Sequence, residues 1–324
     1  MTGSVEQLER RIGLKPGEIR ETALILQSGL GFRTIRLHSK NGRTRSISAP
    51  TVGVGAFLRN LRLGLEDVLE FEPHDCVHGC VRGRNTLTNA LPHVAQAAIL
   101  RVDIRRFFAS IEGERVREAL VAHGLDEHCA KAVTACVTLG DSLPLGFSTS
   151  PLIANVVFSA TDTRLLGVAT SRGLNYTRYV DDLTFSGDRL GDEELGEVTR
   201  VLNADGWKVQ SRKTRFMRAG HAQYVTGLAV DHPTGPHLPR RTKRFLRLEV
   251  HRVVRDGMSA STLGRSKLLG MINYAKHVDP ELGHLLHSQL KEARVFVGWK
   301  DDDHDLEERL WAELGIADTM WLDY

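Results

Sequence analysis

The spacing of apolar positions divides the chain into a mixed first part and a helical last part. Residues 1–30 repeat apolar side chains at helical intervals and predict a helical segment that is interrupted near Pro16-Gly17. Residues 31–52 predict a β-hairpin that turns at Asn41-Gly42. Helical and strand-like patterns then alternate as far as residue 230, and the pattern after residue 239 is helical throughout.

This order of elements predicts an α+β fold. Segment 231–239 contains three prolines and one glycine, which is typical of a linker. Strands that alternate with helices, followed by helices alone, indicate a sheet-bearing core with a helical appendage. We expect a helical extension at 1–30, a core at 31–235 and a helical part with an acidic tail at 236–324. The predicted helices are 57–71, 114–123, 127–139, 151–166 and 193–203, and the predicted strands are 32–37, 44–47, 98–103, 207–210 and 224–230, with a hairpin at 176–186.

Composition and charge narrow the class of protein. The chain has 324 residues, of which 41% are hydrophobic and 26% charged, so a globular fold with a large core is expected. Residues 301–324 contain nine acidic residues and one arginine, a net charge of −8, which leaves +11 on residues 1–300 of a chain whose total is +3. A basic body favours a polyanionic partner, although a well-solvated surface beside an acidic tail would have the same composition.

The sequence also carries an expectation about the compartment. The first residues lack a basic and apolar leader, and no apolar run approaches the roughly 20 residues that span a membrane. Four cysteines in a chain of this length favour reduced thiols over a disulfide framework. We therefore expect a cytoplasmic protein without a membrane partner.

Two adjacent carboxylates, Asp181 and Asp182, lie at the turn of the hairpin predicted over 176–186. Adjacent carboxylates at a tight turn repel each other, and a divalent cation such as Mg²⁺ would remove that cost. An ordinary exposed Asp-Asp turn is the alternative for an isolated pair. Asp103 ends the apolar strand 98–102 and is the candidate third carboxylate, with a helix N-cap as its other interpretation. Three such carboxylates could hold two Mg²⁺ ions.

Several segments resemble the reverse transcriptases in the family's own order. Tyr179-Val180-Asp181-Asp182 resembles the Tyr-x-Asp-Asp signature. Residues 102–111 resemble the first catalytic motif of the bacterial enzymes, and residues 143–151 resemble their Leu-Pro-x-Gly-x-x-x-Ser-Pro segment. Residues 206–214 resemble the next palm motif, and residues 45–50 resemble the fingers motif Arg-x-Ile-x-x-Pro. The resemblance implies a right-hand polymerase with fingers, a palm built on a small antiparallel sheet with helices on one face, and a helical thumb.

Two further segments are similar to retron reverse transcriptases. Residues 89–93 resemble their Asn-Ala-x-x-His segment, and Val225-Thr226-Gly227 resembles their Val-Thr-Gly motif. The resemblance implies an RNA-directed DNA polymerase that copies part of a structured noncoding RNA into single-stranded DNA, primed from a 2′-hydroxyl of that RNA. It also implies dNTPs and an RNA–DNA hybrid as ligands, and a role in anti-phage defence with an accessory effector protein.

The resemblance assigns candidate roles to single residues. Asp103, Asp181 and Asp182 would be the catalytic residues and the ligands of two Mg²⁺ ions. Phe108 would lie beneath the incoming sugar and exclude a 2′-hydroxyl, whereas Phe107 is expected in the core. Many relatives carry Gln where this chain has Leu145, which bears on nucleotide selection. The residues expected at the incoming dNTP are Arg45, Phe108, Gly146 and Lys213.

A basic stripe on the helix predicted after residue 239 is the candidate nucleic-acid grip. Helical spacing brings its members to one face and leaves Leu246, Val250 and Val253 on another. A stripe of this kind follows phosphates, although a solvated amphipathic helix would share the pattern. The stripe consists of Arg240, Arg244, Arg247, His251 and Arg255. Asn89 and His93 are further candidates for contact with RNA or template–primer.

Other interpretations stay open at this point. A zinc site among His74, Cys76, His78, Cys80 and His93 matches no established ligand spacing. A group II intron enzyme or a diversity-generating reverse transcriptase would share the polymerase motifs. A catalytically idle RNA-binding scaffold of a toxin–antitoxin complex would share the basic surface. The sequence does not identify the RNA, the effector protein or the oligomeric state.

Overall fold

The computed structural model describes residues 4–38 and 44–293. The predicted Asn41-Gly42 turn and the acidic tail, with Trp299, Trp311 and Trp321, lie outside the described residues. The helices are α1 Val5–Arg11, α2 Glu18–Gln27, α3 Val52–Val68, α4 Thr86–Ala90, α5 Gly113–Ala122, α6 Glu127–Val137, α7 Ser150–Ser171, α8 Asp192–Ala204, α9 Arg240–Asp256, α10 Arg265–Val278 and α11 Pro280–Glu292. The strands are β1 Phe32–His38, β2 Thr44–Pro50, β3 Ala98–Asp103, β4 Asn175–Tyr179, β5 Asp182–Gly187, β6 Arg215–Arg218, β7 Tyr224–Val225 and β8 Leu228–Ala229.

A four-stranded antiparallel sheet, here called the palm sheet, has the order β4-β5-β3-β6. Alternate residues point to opposite faces of a strand, so Leu100, Val102 and Phe185 share one face and pack in the main core with helix α7. The other face carries Asp103 and Asp182 near one end and Ile99 near the other. Helix α4 and the turn after it pack against β4 and β5 on this face.

Two apolar clusters organise the described residues. The larger cluster joins the palm sheet to α3 and α5–α8, and it also contains Ile19 of α2 and, from the connection between α1 and α2, Ile12 and Leu14. The thiol of Cys136 in α6 lies 3.0 Å from the carbonyl oxygen of Ile19. The predicted helical extension therefore shares the core of the following segment. The smaller cluster joins α9, α10 and α11, here called the thumb helices, to the β7–β8 hairpin and to Ile99.

Two predicted strands differ from the structure, and one strand of the structure was not predicted. Residues 207–210 form no regular strand, and only Val209 makes an isolated bridge, to Ile104. Strand β6 lies a few residues later and pairs with β3. The strand predicted over 224–230 is a tight hairpin, because Thr226 and Gly227 both adopt positive φ angles, 46° and 78°. Two consecutive residues with positive φ close a two-residue hairpin turn.

Helix α7 is longer than predicted. Its 22 residues are apolar enough, by length and composition, to meet the criterion for a membrane span, contrary to the expectation that no segment approaches it. Half of the 18-residue apolar stretch that meets this criterion is buried inside the protein. Asp162 in this helix is fully buried in an ion pair with Arg178. Its surroundings are those of a core helix that supports the palm sheet.

Candidate active site on the palm sheet

The three predicted carboxylates meet at one end of the palm sheet. Asp103 is the last residue of β3 and lies directly opposite Asp182, the first residue of β5. Asp181 occupies the turn between β4 and β5, and its carbonyl oxygen accepts a hydrogen bond from the Ile104 amide at 3.0 Å. No helix begins at Asp103, so the N-cap interpretation is wrong. The hairpin prediction and the clustering of the carboxylates are confirmed.

Two of the three carboxylates have a basic partner. The Nζ of Lys213 lies 2.7 Å from Oδ2 of Asp103. Arg101, two residues before Asp103 on the same face of β3, donates from Nε to Oδ1 of Asp182 at 3.2 Å and from Nη2 to Oδ2. Sequence reasoning missed Arg101, although its i−2 spacing from Asp103 on a strand would have placed it on the carboxylate face. Lys213 had been assigned to the incoming nucleotide, and that role stays a prediction.

Burial and neighbouring charge disfavour the ionised form of Asp181. Burial, followed by the charges of Asp103 and Asp182, raises the pKa of its carboxyl to about 7. Burial also raises the pKa of Asp182, and Arg101 opposes that shift. Carboxylate oxygens are the ligands that Mg²⁺ prefers, so the donor set fits this ion chemically. Among residues 4–38 and 44–293, no group of three His, Cys, Asp or Glu side chains is already arranged around a metal position. Basic side chains hold two of the carboxylates instead.

The turn that carries Asp181 is held in an unfavourable conformation. Val180 has a φ of 57°, a left-handed angle that is rare for a β-branched residue and costs on the order of 1–3 kcal/mol. Arg178 donates from Nη1 to the Val180 carbonyl oxygen at 3.1 Å and to Oδ1 of Asn155 at 3.0 Å. Asp162 neutralises this buried guanidinium with contacts of 2.7–3.1 Å. The network over-determines the turn and fixes where the carboxylates point.

Gly79 supports the same turn from outside the sheet. The segment 76–79 runs beside β4, with the Arg178 amide donating to the Cys76 carbonyl oxygen at 2.7 Å. A Cβ atom on Gly79 would overlap the backbone nitrogen of Val180. Its carbonyl oxygen accepts from Nδ2 of Asn155 at 3.2 Å. Sequence reasoning missed this contact of Gly79 with the catalytic turn.

The aromatic pair after Asp103 divides as predicted. Phe107 is buried, and its ring packs against Phe158 and Trp207. Phe108 is only partly buried, with its ring edge-on to Phe107 at a centroid distance of 5.5 Å. The core position of Phe107 is confirmed. The partial exposure of Phe108 leaves a face available to a ligand, and its contact with the sugar stays a prediction.

The strand that carries Arg45 packs against the loop that carries Gly146. The Ser48 amide donates to the Leu145 carbonyl oxygen at 2.8 Å. Gly146 has a φ of 114°, and a Cβ atom there would lie 2.7 Å from both Ile47 Cγ2 and the Ser48 oxygen. Gly146 therefore permits the close approach of this loop to β2. Arg45 is exposed two residues before Ile47, on the same face of the strand, and the side chain of Leu145 is partly exposed.

The structure corrects the roles expected for Asn89 and His93. Both side chains are fully buried, so contact with RNA from these positions is wrong. The His93 ring lies 2.7 Å from Oγ of Ser186 and 2.8 Å from Oγ1 of Thr177, so it bridges β5 and β4 on the face of the sheet that carries Asp182. Burial lowers the pKa of His93 to about 3, which keeps the ring neutral. The amide group of Asn89 has no hydrogen-bond partner among the described residues.

The Val-Thr-Gly turn contacts helix α4, whose last two residues, Asn89 and Ala90, begin the Asn-Ala-x-x-His segment. Thr226 of the Val-Thr-Gly turn donates from Oγ1 to the Thr86 carbonyl oxygen at 3.0 Å. The Thr86 hydroxyl also lies 2.9 Å from the hydroxyl of Tyr274 in α10. Helix α4, which continues into the turn that carries His93, therefore connects the thumb helices to the catalytic hairpin. This contact was not visible as a pattern in the sequence.

The basic stripe has the predicted exposure. Arg240, Arg244, Arg247, His251 and Arg255 are all exposed on α9. Leu246, Val250 and Val253 are fully buried in the thumb cluster. Lys243 and Arg252, which lie on the same helix outside the stripe, pair with Asp279 and Glu249 within the thumb. Arg255 pairs with the adjacent Asp256, which reduces its share of the stripe's charge.

The histidine- and cysteine-rich segment has no zinc geometry in the described residues. His74 and His78 lie 2.9 Å from the hydroxyls of Thr163 and Thr88, respectively. Cys76 is buried, and burial raises the pKa of its thiol to about 12. These side chains act as packing and hydrogen-bonding groups.

Comparison with known proteins supports the same assignment. Residues 37–250 match the family described as reverse transcriptase (RNA-dependent DNA polymerase). The chain is 32% identical to the retron Mx65 reverse transcriptase of Myxococcus xanthus, with 80% of this chain and 64% of that protein covered. It is 30% identical to the retron Mx162 reverse transcriptase of the same organism, with coverages of 89% and 67%. The chain thus spans about two thirds of the length of these relatives.

Solved structures add a distant likeness. A foamy viral protease–reverse transcriptase in complex with double-stranded DNA has a TM-score of 0.48 and 17% identity, and the match covers 90% of this chain and 46% of that one. The motif order, the palm sheet with its carboxylates and the match over residues 37–250 agree with one another. The chain belongs to the reverse transcriptase family and, within it, to the retron type.

Proposed function

We propose that the chain is an RNA-directed DNA polymerase that copies part of a cognate structured noncoding RNA into single-stranded DNA linked to that RNA. The pairing of Asp103 with Asp182 across β3 and β5, beside Asp181 in the turn, is the observation that carries this proposal. It brings three hard oxygen ligands to one end of the palm sheet. Family membership and two relatives at 30–32% identity support the same reaction.

Asp103, Asp181 and Asp182 would hold two Mg²⁺ ions. When bound, such ions lower the pKa of the attacking 3′-hydroxyl and stabilise charge on the leaving pyrophosphate. The protein's own contribution is positioning and electrostatics. Arg178 and Gly79 fix the turn of Asp181, and Phe108 is placed to select deoxyribose. Lys213, now on Asp103, is close enough to the reacting end to assist the leaving group, and Arg45 would bind the triphosphate.

The exposed arginines of α9 would hold the template–primer duplex, which is an RNA–DNA hybrid. Such a hybrid is gripped through its backbone and shape, and exposed guanidinium groups suit that contact. The contact between the Val-Thr-Gly turn and helix α4 supports retron function over a group II intron or diversity-generating enzyme, because the last residues of that helix begin the other retron-like segment. A cytoplasmic role in anti-phage defence with an effector protein belongs to the same proposal.

The test is expression of the chain together with the DNA that adjoins its gene. We expect the purified protein to carry a nucleic acid that is shortened by both DNase and RNase on a denaturing gel. Asp181→Asn removes a charged ligand, so it should lose the DNA part and keep the RNA. Primer extension by this variant should fall by about 10³-fold or more, at least ~4 kcal/mol of transition-state stabilisation.

The outcomes separate the alternatives. Co-purified RNA without DNA in the unmodified protein would favour the idle scaffold. DNA that is not linked to RNA would favour another bacterial reverse transcriptase. Near-normal primer extension by Asp181→Asn would contradict the assignment of the site.

A further inference from the structure

Arg101 is a basic side chain built into the carboxylate site. We propose that Arg101 is the internal counter-ion of Asp182 and sets the affinity of the site for divalent cations, which must compete with it. The proposal rests on the metal-dependent function above, and it names a residue that positions a ligand carboxylate. The family motifs quoted for this chain give no role to this position.

The position of Arg101 is fixed by strand geometry. It lies on the same face of β3 as Asp103, and its neighbours across the sheet are Thr184 on β5 and Arg215 on β6. The guanidinium group of Arg101 donates both of these hydrogen bonds to the carboxylate of Asp182. The side chain of Asp182 is 8% exposed and that of Arg101 27%, so water screens the pair weakly. A fork-shaped guanidinium on a nearly buried carboxylate is a strong, geometrically specific contact.

The charges of the site distinguish its three carboxylates. Arg101 holds Asp182, and the more exposed Lys213 holds Asp103. No ion pair of Asp181 is found within the described part of the chain. The two adjacent aspartates are therefore unequal, because Asp181 is free to bind a cation and Asp182 is already bound to one. A metal at Asp182 must displace the guanidinium or share the carboxylate with it.

This arrangement has a functional consequence. Three carboxylates without a counter-ion would bind divalent cations tightly and would destabilise the protein in their absence. Arg101 reduces both effects, so the site stays folded without metal. The site then reaches its full affinity for divalent cations when a nucleoside triphosphate adds its own negative charge. Arg101 would therefore couple metal binding to nucleotide binding.

The experiment measures Mn²⁺ binding by electron paramagnetic resonance, on the full chain without nucleotide or nucleic acid. Arg101→Gln keeps a hydrogen-bond donor and removes the charge, so Mn²⁺ should bind about tenfold tighter. The melting temperature of this variant should fall in EDTA, and added Mn²⁺ should restore it more than it stabilises the unmodified protein. Arg215→Gln removes the same charge from the facing, exposed position on β6 and should leave Mn²⁺ affinity within about twofold, because water screens it.

A double mutant keeps the test decisive if Arg101→Gln folds poorly. Asp182→Asn alone leaves Arg101 without its partner and should weaken Mn²⁺ binding. Arg101→Gln combined with Asp182→Asn removes both charges, so it should fold and recover affinity towards that of the unmodified protein. A double mutant as weak as Asp182→Asn alone would overturn the proposal, as would unchanged or weaker binding in a folded Arg101→Gln protein.

The failure of this proposal is distinguishable from failure of the proposed function. Primer extension that depends on Mg²⁺, together with Mn²⁺ affinities that do not respond to Arg101, would overturn only the role of Arg101. Primer extension that survives EDTA would overturn the metal-dependent function itself.

Discussion

At the scale of single residues, Phe108 is the position where structure and predicted selectivity meet. Phe107 fills the core, and its partly exposed neighbour is therefore the ring that a nucleotide can touch. Phe108→Val removes the aromatic ring. The variant enzyme should therefore accept ribonucleotides and continue to synthesise DNA. We expect the ratio of NTP to dNTP incorporation to rise by about tenfold or more, the equivalent of ~1.4 kcal/mol.

The control for this change is Phe107→Leu, which alters the buried ring. It should lower thermal stability, because it removes core contacts, and it should leave the incorporation ratio unchanged. An active Phe108→Val enzyme with the original ratio would show that Phe108 serves only packing.

Two buried histidines give the protein a specific response to acid. Burial lowers the pKa of His93 to about 3 and of His78 to about 4, whereas an unfolded histidine titrates near 6.5. Between those values the unfolded chain binds more protons than the folded one, so the free energy of unfolding falls as the pH falls from about 6.5 to 4. The slope is at most about 1.4 kcal/mol per pH unit for each histidine.

His93→Gln should change that slope in a measurable way. The amide of Gln can still bond the hydroxyls of Thr177 and Ser186, so the variant should fold but be less stable at pH 7.5. Its stability should fall less steeply between pH 6.5 and 4.5, as measured by urea unfolding at constant ionic strength in EDTA. His128→Gln, an exposed position on α6, should keep the original slope. Parallel curves for His93→Gln and the unmodified protein would contradict a neutral, buried His93.

At the scale of elements, the catalytic turn depends on parts of the chain far from it in sequence. Arg178, Asn155 and Gly79 converge on Val180 from β4, α7 and the segment beside β4. Gly79→Ala places a methyl group against the Val180 backbone, which has to shift. We expect kcat to fall by about 10²-fold, because small displacements of a catalytic group have effects of that size, with KM for dNTP nearly unchanged.

The matched control for Gly79→Ala is Gly167→Ala in helix α7. Nothing lies within 4 Å of the added methyl group, so this change should leave kcat unchanged and not lower stability. The measurements are steady-state primer extension and thermal unfolding of both variants. An unaltered kcat in a folded Gly79→Ala protein would show that the turn tolerates displacement.

How far the sequence predicts the elements depends on their periodicity. Strand β3 was predicted with its correct bounds, because a continuous apolar run ends in a polar residue. Strand β6 was missed, because its four residues do not alternate: Phe216 and Met217 are adjacent between two arginines and look like a short exposed segment without the partner β3. Helix α4 was missed because five residues are too few for a helical period.

The residues of the site also divide into those that local patterns predict and those that depend on distant partners. The aspartates and Phe107 were predicted from local patterns, whereas Arg101, Arg178 and Gly79 act through partners that only folding brings near. Asn89 and His93 were assigned to RNA through the resemblance of residues 89–93 to the Asn-Ala-x-x-His segment. The fold instead buries them, with His93 bonded to two hydroxyls that no local signal reveals.

At the scale of the whole molecule, the thumb helices and the palm sheet share contacts through helix α4. Tyr274 of α10 and Thr226 of the β7–β8 turn both form hydrogen bonds with Thr86 of α4. The chain continues from α4 to His93, which lies beside the catalytic hairpin. Ile99 of β3 packs in the same cluster as the thumb helices. The thumb helices are therefore joined to the sheet that holds the carboxylates, and nucleic acid bound to one is positioned relative to the other.

The exposed stripe on α9 predicts how the molecule holds nucleic acid. Arg244→Gln combined with Arg247→Gln should weaken RNA binding, because each arginine that contacts a phosphate releases a counterion on binding. The slope of log affinity against log salt should become shallower by roughly one to two units, one for each lost contact. The loss should not depend on base sequence, since backbone contacts position the duplex without reading it. Folding should be retained, because the buried residues Leu246, Val250 and Val253 are unchanged.

A control with equal charge loss separates this grip from the general attraction of a basic protein. Arg20→Gln combined with Arg200→Gln removes two exposed arginines from α2 and α8, outside the stripe. Salt titrations of RNA affinity should give this control the slope of the unmodified protein, and circular dichroism should show all three proteins folded. Equal slopes for the unmodified protein and both double mutants would show that α9 faces solvent in the complex. Equal shallowing in both double mutants would show that net charge, and not the stripe, governs binding. A shallower slope for the α9 variant alone would place the phosphate backbone along this helix, on the thumb that helix α4 joins to the catalytic hairpin.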